Sequence, residues 1–437
     1  MSRRLYRDVR MIDPASGMDQ VGDVLIDGTI VADFGPRVID GPLPDDITLI
    51  DGQGLWMLPG LLDLRTCLPG NNTWGQETLV TASQAAAAGG ITTFVCTADA
   101  NPVIDTVPVL EAIMRRGREI GLASILCYGA LTRDLNGREL SEMGLLHAAG
   151  CVGFMDGIHP VSDAAVMYNA LRYARLFNAL VLSHPEEKTL TGEGVAHAGK
   201  VAARLGLRGM PACAESIMVA RDLELARVSG ARLHLCHLSA ARSVEMVRAA
   251  KASGLNVTCD VSAFHLLLTE EAISTYDTAT KLNPPLRTED DRQALLAGLS
   301  DGTIDAIASD HMPYNLDQKR LPFAQAAFGA VGLETLLSAT LQATSEGLSL
   351  MAAVKALTVG PATILGLSGG RLQKGKVADL LLYDPAREWV VEAESFRSKS
   401  RSTPFAGMSF SGRVVMTLKA GKTVFKLGSA TPEQAQS

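Results

Sequence analysis

Three side chains that could bind a metal ion stand at the carboxyl ends of apolar runs in the sequence. They are His184, His237 and Asp310. A single histidine at such a position is more often a structural residue that hydrogen-bonds a neighbour. Two histidines and one aspartate at three strand ends match the ligands that zinc prefers. The pattern therefore indicates a metal site or the residue set of one that has been lost.

The apolar strand after Pro59 ends in residues that do not suit such a site. Alternation along this strand places Asp63, Arg65 and Cys67 on one face. Arg65 is always charged and cannot bind a metal. We predict that it neutralises Asp310 or Asp156; the alternative is that its long side chain extends to the rim of the fold. Cys67 leaves two interpretations, a thiolate ligand for zinc or a small buried thiol that fills space.

Eight apolar runs separated by helical stretches would position these side chains. Helical patterns lie between them, for example at 77–88, 107–121 and 215–229. The predicted strands are 59–65, 91–96, 123–128, 151–155, 179–183, 232–237, 255–260 and 303–309. This alternation predicts an α/β fold, a (β/α)8 TIM-type barrel, in which chemistry takes place at the carboxyl ends of the strands.

The two ends of the chain have a different character. Residues 1–57 and 370–437 contain short strands and turns, including an Asp-Gly hairpin signal at Asp27-Gly28. Neither end is long enough to bury a good core alone, so we predict that they form one small β-sandwich domain beside a barrel of residues 58–369. The segment 428–437 has the composition of a disordered tail.

The composition excludes several classes of function. The chain has 437 residues, 47% of them hydrophobic, and a net charge of −7. That charge argues against a nucleic-acid or anionic-membrane partner, and no apolar run approaches the roughly 20 residues that span a bilayer. The seven cysteines contain no CxxC pair, and the N-terminus has no apolar signal core. We expect a cytoplasmic protein with reduced thiols.

Several longer motifs resemble the amidohydrolase superfamily, and within it the dihydroorotases of the longer bacterial type. The resemblance covers nearly the whole chain. The segments that carry it are Gly129–Thr132 with Glu142–Gly144, His234–Ser239, Lys281–Arg287, Asp301–His311, and Ser398–Ser400 with Thr403–Phe405.

The resemblance implies a binding site for one or two zinc ions. In active members the first strand supplies a His-x-His pair, a carboxylated lysine or an aspartate follows strand four, and histidines follow strands five and six. An aspartate after strand eight binds metal and transfers the proton. By position His184, His237 and Asp310 match, and Asp156, or a neighbour one residue away, corresponds to the acidic ligand. Arg65 and Cys67 replace the histidine pair.

The resemblance also implies that the substrate contacts have changed. The family's arginine that grips the dihydroorotate carboxylate has no counterpart in Leu68–Asn72. The asparagine after strand two is Asp99 here, and the histidine after strand eight is Tyr314. The substrate loop that contains Asn283 is retained.

Loss of metal ligands together with substrate contacts favours a dihydroorotase-like protein of pyrimidine biosynthesis that is not catalytic and needs no cofactor. Inactive members of the family imply a scaffold role, with the catalytic chain of aspartate carbamoyltransferase as partner and several copies of this chain in the complex. The alternative is a functional zinc-dependent dihydroorotase or a related cyclic-amide hydrolase with an atypical site that uses Cys67. A third hypothesis is an enzyme for a less anionic substrate, which Asp99 and Tyr314 would suit.

Overall fold

The structure is a computed structural model that describes residues 3–68 and 77–428. Its strands are β1 (Arg3–Asp13), β2 (Met18–Asp27), β3 (Ile30–Gly35), β4 (Ile47–Asp51), β5 (Trp56–Pro59), β6 (Leu61–Thr66), β7 (Ile91–Cys96), β8 (Ser124–Cys127), β9 (Leu180–Ser183), β10 (Ala196–His197), β11 (Gly209–Met210), β12 (Arg232–Leu235), β13 (Val257–Ser262), β14 (Ala306–Ala308), β15 (Leu380–Val390), β16 (Ser409–Lys419) and β17 (Lys422–Lys426).

The helices alternate with the strands through the middle of the chain. They are α1 (Leu79–Ala88), α2 (Val107–Ile120), α3 (Met143–Ala148), α4 (Ala164–Arg175), α5 (Lys188–Thr191), α6 (Lys200–Leu205), α7 (Cys213–Ser229), α8 (Ala241–Ala252), α9 (Ala263–Leu267), α10 (Glu289–Ser300), α11 (Leu316–Lys319), α12 (Leu336–Gln342), α13 (Leu350–Leu357) and α14 (Val359–Leu365). Short 3-10 turns lie at 133–135, 270–275, 278–280, 343–346 and 393–395. None of the helices in the described residues is long and apolar enough to cross a bilayer.

Strands from both ends of the chain share one mixed sheet. Its order is β17-β16-β15-β5-β1-β2-β3, and β4 pairs with β1. The short strand β5 joins the two ends, because it runs parallel to β1 and antiparallel to β15. The predicted hairpin turn at Asp27-Gly28 is present, and Gly28 adopts a φ of 57° there. This sheet is the counterpart of the β-sandwich domain predicted from both ends; residues 1–2 and 429–437 lie outside the described residues.

The strands between the two ends pair in parallel and close into a ring. β6, β7 and β8 pair in that order, as do β9, β12, β13 and β14. The segment 151–155 connects the two groups, since Phe154 bridges to both Gly129 and Val181. A parallel bridge between Thr66 and His311 closes the ring. The predicted α/β class is confirmed, and the paired segments correspond to the eight predicted strands.

Local sequence explains where the helices around the ring begin. Thr78 caps α1 by accepting a hydrogen bond from the Thr81 amide, and the Thr81 hydroxyl accepts from the Thr78 amide. Thr288 and Asp291 form the same reciprocal cap at α10. Because each cap follows directly on a connecting loop, the helices start at fixed points and the strand ends that carry the polar side chains are held in place.

Candidate functional site

An ion pair between Arg65 and Asp310 occupies the carboxyl ends of the ring strands. Arg65 is the penultimate residue of β6, and Asp310 follows β14. The Arg65 Nε donates to Asp310 Oδ1 at 2.6 Å, and the two residues are 2% and 7% exposed. Of the two carboxylates predicted as partners of Arg65, Asp310 therefore forms the ion pair and Asp156 does not.

Two of the metal-ligand candidates, His237 and Asp310, have an unusual backbone conformation. His237 has a φ of 36° and Asp310 a φ of 49°, a region that non-glycine residues seldom occupy. The backbone N–H of His237 donates to Asp260 Oδ1 at 2.5 Å, which holds that conformation. Strain of this kind is stored at sites whose geometry the surrounding structure over-determines.

The two histidines hydrogen-bond each other directly. His184 Nδ1 lies 2.7 Å from His237 Nε2, and His184 Nε2 lies 2.9 Å from Glu186 Oε2. Since the Glu186 carboxylate can only accept, the consistent proton assignment gives His184 its proton on Nε2 and His237 its proton on Nε2. His237 Nδ1 then faces Asp310 Oδ1 at 3.4 Å without a proton, a distance longer than a charge-assisted bond.

The charges of the site follow from burial and from this arrangement. Burial lowers the pKa of His237 to about 4, and the neighbouring Arg65 charge acts in the same direction. Against the effect of burial, the hydrogen bond from His184 lowers the pKa of Glu186 to about 2. Against the same effect of burial, the ion pair with Arg65 lowers the pKa of Asp310. At neutral pH the cation that balances Asp310 is therefore Arg65, because His237 is neutral.

Cys67 behaves as a buried thiol. Burial raises its pKa well above the ordinary value for cysteine, and the Asp99 charge adds to the effect. Its backbone N–H donates to the His311 carbonyl at 2.8 Å, next to the bridge that closes the ring. A protonated thiol is a poor zinc ligand, so the geometry favours the space-filling interpretation of the two that the sequence left open.

Asp156 binds backbone of a neighbouring loop. Its Oδ1 accepts from the amides of Leu131 at 2.8 Å and Thr132 at 2.9 Å, and its Oδ2 accepts from the Thr132 hydroxyl. Burial nevertheless raises its pKa to about 6. The carboxylate thus fixes the Leu131–Thr132 loop, and its oxygens face that loop rather than the two histidines.

The predicted substrate contacts lie around the same strand ends. Asn283 Nδ2 donates to Glu186 Oε2 at 2.9 Å. Asp99 packs against Gly157 and accepts from the Ile158 amide at 3.4 Å. Tyr314 is half-buried, and burial raises its pKa to about 12, with the nearby Asp99 charge adding to it. The loop Leu68–Asn72, where the family's arginine is missing, lies outside the described residues from position 69 onward.

These residues, as arranged, do not fit a zinc ion. A tetrahedral zinc with Zn–N distances of about 2.0–2.1 Å holds two ligand nitrogens about 3.3 Å apart, whereas His184 Nδ1 and His237 Nε2 are 2.7 Å apart. The third candidate, Asp310, is bound to a guanidinium that cannot ligate. The positive charge of the guanidinium, so close to the candidate ligands, would also lower the affinity of the site for a metal ion.

A second group of potential ligands was not singled out from the sequence. Within the described ranges, the one set of three whose ligand atoms lie within 4.8 Å of one another is His234, Cys236 and Asp260. Both ring nitrogens of His234 are already used, towards Thr258 Oγ1 at 2.8 Å and Asp260 Oδ2 at 3.0 Å, and burial keeps the Cys236 thiol protonated by raising its pKa. The cluster is therefore structural: Asp260 binds both the His234 ring and the backbone N–H of His237, and so fixes the end of this strand.

Glu186 is the other site residue that the sequence analysis passed over. It links His184 to Asn283 and also accepts from the Thr191 hydroxyl at 2.6 Å. The available signal was its spacing, two residues after a histidine at a strand end. An acidic residue so placed commonly accepts a hydrogen bond from one ring nitrogen of the histidine and so fixes which nitrogen carries the proton.

Comparisons with known proteins bear on the whole chain. A family model described as "Dihydro-orotase-like" matches residues 54–243, and an "Amidohydrolase family" model matches residues 293–425. A dihydroorotase of Pelobacter propionicus is 40% identical over 97% of this chain and 99% of its own length, and one of Geobacter sp. is 42% identical with the same shares covered.

Solved structures give the same fold. The L-hydantoinase (dihydropyrimidinase) of Arthrobacter aurescens has a TM-score of 0.86 at 25% identity, over 98% of this chain and 97% of that one. The dihydropyrimidinase of Brevibacillus agri has a TM-score of 0.80 at 23% identity, over 97% and 95%. With relatives of about two-fifths identity over almost their full length, this chain belongs to the dihydroorotase family of amidohydrolases.

Proposed function

We propose that this chain is a dihydroorotase-like protein of pyrimidine biosynthesis whose centre does not bind catalytic zinc and does not hydrolyse dihydroorotate. The observation that carries the proposal is the buried contact of 2.6 Å between Arg65 Nε and Asp310 Oδ1. In this interpretation the ring is the (β/α)8 barrel of the family, and the guanidinium supplies the positive charge that a metal supplies elsewhere.

The ion pair removes two functions that hydrolysis of a cyclic amide needs. A metal-bound water reaches a pKa near 7 only on a metal ion with an open position, and no such ion is accommodated beside Arg65. A proton carrier needs a pKa close to the working pH. The ion pair with Arg65 keeps the pKa of Asp310 low, so it stays ionised.

A second candidate is a zinc-dependent dihydroorotase. The names of the relatives favour it, since the proteins that match over nearly full length are called dihydroorotases, and they support it more than they support a scaffold role. In that case Cys67, His184, His237 and Asp310 would hold the metal after Arg65 has moved away from Asp310. The prediction of a complex with aspartate carbamoyltransferase has the sequence resemblance as its support and stays a prediction.

The test is zinc content and turnover of the full-length chain. Protein purified with zinc, then washed with a chelator, is analysed for metal and assayed for dihydroorotate hydrolysis and for the reverse condensation. We expect far less than one zinc per chain and no turnover above background. About one tightly held zinc together with turnover that Cys67→Ala abolishes would favour the enzyme; Cys213→Ala, at an exposed cysteine, is the matched control.

A separate experiment addresses the partner. Size-exclusion chromatography of this chain mixed with the aspartate carbamoyltransferase catalytic chain of the same organism is expected to give one co-eluting complex. Separate elution of the two chains at micromolar concentration would count against the scaffold role and leave the zinc result unaffected.

A further inference from the structure

The Arg65 guanidinium uses only one of its three nitrogens. Nε donates to Asp310, while Nη1 and Nη2 are both buried and have no hydrogen-bond partner among the described residues. The side chain as a whole is 2% exposed. Buried donors of a charged group are costly when they are left unmatched, so the free edge of this guanidinium indicates a missing partner.

The free edge has a specific shape. Nη1 and Nη2 present parallel N–H groups in the plane of the guanidinium, and this fork matches the two oxygens of a carboxylate. Asp310 is attached on the Nε side, so the two edges can serve two different anions. A second anion on the Nη edge would satisfy the unpartnered donors without disturbing the ion pair.

The surrounding charges limit what this anion can be. Three carboxylates, Asp310, Asp99 and Asp260, act electrostatically on Arg65. One guanidinium already balanced by Asp310 cannot also offset a dianion, whereas the field of Asp99 opposes every added negative charge. A planar monoanion therefore fits the edge better than phosphate or sulfate.

We propose that the Nη1–Nη2 edge of Arg65 is a binding site for a small molecule that carries a single carboxylate. The site rests on the function proposed for this centre, because a zinc ion bound there would require Arg65 to move. It places a ligand where the metal lies in hydrolysing members, held by hydrogen bonds and without a group that activates water. The protein would then bind a small acid and leave it unchanged.

The experiment measures stabilisation of chelator-washed full-length protein by acetate. Melting temperature is followed against acetate concentration at constant ionic strength, with phosphate as the second probe. A ligand that binds only the folded chain raises the melting temperature in a saturable way. We expect saturable stabilisation by acetate and much less by phosphate; acetate acting no better than chloride, or phosphate acting equally well, would overturn the proposal.

Two variants test whether acetate binds at Arg65. Arg65→Lys keeps a positive charge for Asp310 and removes the fork, so acetate affinity should fall by about tenfold or more, the equivalent of roughly 1.4 kcal/mol. Arg248→Lys changes an exposed arginine that pairs with Asp301 and should leave it unchanged. Equal acetate binding by the Arg65→Lys and wild-type proteins would refute the proposal.

Asp99→Asn covers the case in which Arg65→Lys does not fold. Removing this charge should tighten acetate binding several-fold, since the carboxylate opposes the added anion; unchanged or weaker binding contradicts the site. Zinc content and turnover are recorded on the same samples. Bound zinc with turnover would refute the metal-free function, whereas the acetate response of the chelated protein decides the carboxylate site separately.

Discussion

At the scale of single residues, the centre holds two buried side chains of opposite charge. Arg65 and Asp310 are both buried, and each is the main compensation for the other's charge. Buried ion pairs add little stability over an apolar pair of the same size, but removing one partner leaves the other unpaired. The two residues therefore depend on each other for stability, and this dependence can be measured.

Asp310→Asn should destabilise the chain strongly. It leaves the Arg65 charge buried without a counterion, which costs about 3–5 kcal/mol. The double variant Arg65→Met with Asp310→Asn removes both charges and should recover at least half of that loss. Urea denaturation of both variants and of Arg65→Met gives the coupling energy; a double variant whose loss equals the sum of the two single losses would show that the pair is not coupled.

Restoring the histidine pair should restore metal binding. In Arg65→His with Cys67→His the cation is gone, Asp310 is released, and two imidazoles join His184 and His237 at the strand ends. We expect zinc content to rise to about one per chain, measured by elemental analysis after dialysis. Cys67→His alone keeps Arg65 and should bind little zinc; equal zinc in the single and double variants would contradict the role given to the guanidinium.

Residue types alone limited the partner of Arg65 to Asp310 or Asp156, beside the alternative that its side chain extends to the rim, and the structure selects Asp310. They were not enough for Asp156. Its partners are the backbone amides of Leu131 and Thr132, and a backbone amide leaves no signature in the sequence. Glu186 was missed for the related reason that its role depends on which histidine nitrogen it faces.

At the scale of elements, apolar runs located the strands well and their ends less well. The run 91–96 is β7 without change, whereas 303–309 shrinks to Ala306–Ala308. The segment 151–155 pairs on both sides, with Phe154 donating to Leu180 and Gly129 donating to Gly153. A run of buried residues shows where a strand lies, but hydrogen bonds to its neighbours determine where it ends, and these depend on register.

The segment after Asp310 should make stability depend on pH. Lys319 ends α11, is 5% exposed, and donates from Nζ to the carbonyls of Ala327 and Gly329 at 2.9 and 2.8 Å. Burial lowers its pKa to about 7, and the charge of Lys281 adds to the effect. Between about pH 7 and 10 the unfolded chain binds more protons at this lysine, so the free energy of unfolding rises with pH, by at most about 1.4 kcal/mol per pH unit.

The comparison that isolates this effect uses Lys319→Met. Denaturant unfolding at several pH values should show a rise in stability from pH 7 to 10 that is larger in the wild type than in this variant. Lys355→Met, at an exposed lysine, should retain the wild-type slope. Equal slopes for the wild type and Lys319→Met would show that Lys319 keeps its proton when the chain folds.

At the scale of the whole molecule, the sheet of the chain ends packs directly against the ring. The composition of residues 1–57 and 370–437 suggested that both ends belong together, since neither could bury a core alone. The order of the strands could not be predicted. The short strand β5 pairs with both β1 and β15, and β15 begins more than 300 residues further along the chain. Thr417 Oγ1 of β16 donates to the Ala87 carbonyl at 2.6 Å, so the last strands and the first helix of the ring are in contact.

Gly90 lies where these two parts pack together and offers a test of their packing. It has a φ of 83°, and a Cβ there would lie 2.7 Å from Leu381 Cδ2 and 3.3 Å from Val414 Cγ2. Gly302 occupies the same kind of helix-to-strand turn, with a φ of 79°, and has nothing within 4 Å of such a Cβ. Alanine at Gly302 should cost only the backbone strain of about 1–2 kcal/mol.

Alanine at Gly90 carries the same strain and additionally overpacks the contact with the sheet, which typically costs a further 1–3 kcal/mol or so. The melting temperature of Gly90→Ala should therefore fall further than that of Gly302→Ala. Adding Leu381→Ala to Gly90→Ala makes room for the methyl group, so the double variant should lose less stability than the sum of the two single variants. Equal losses in the two glycine variants, with strictly additive effects at Leu381, would mean that the sheet moves away from the ring without cost and that the two parts are not packed as one body.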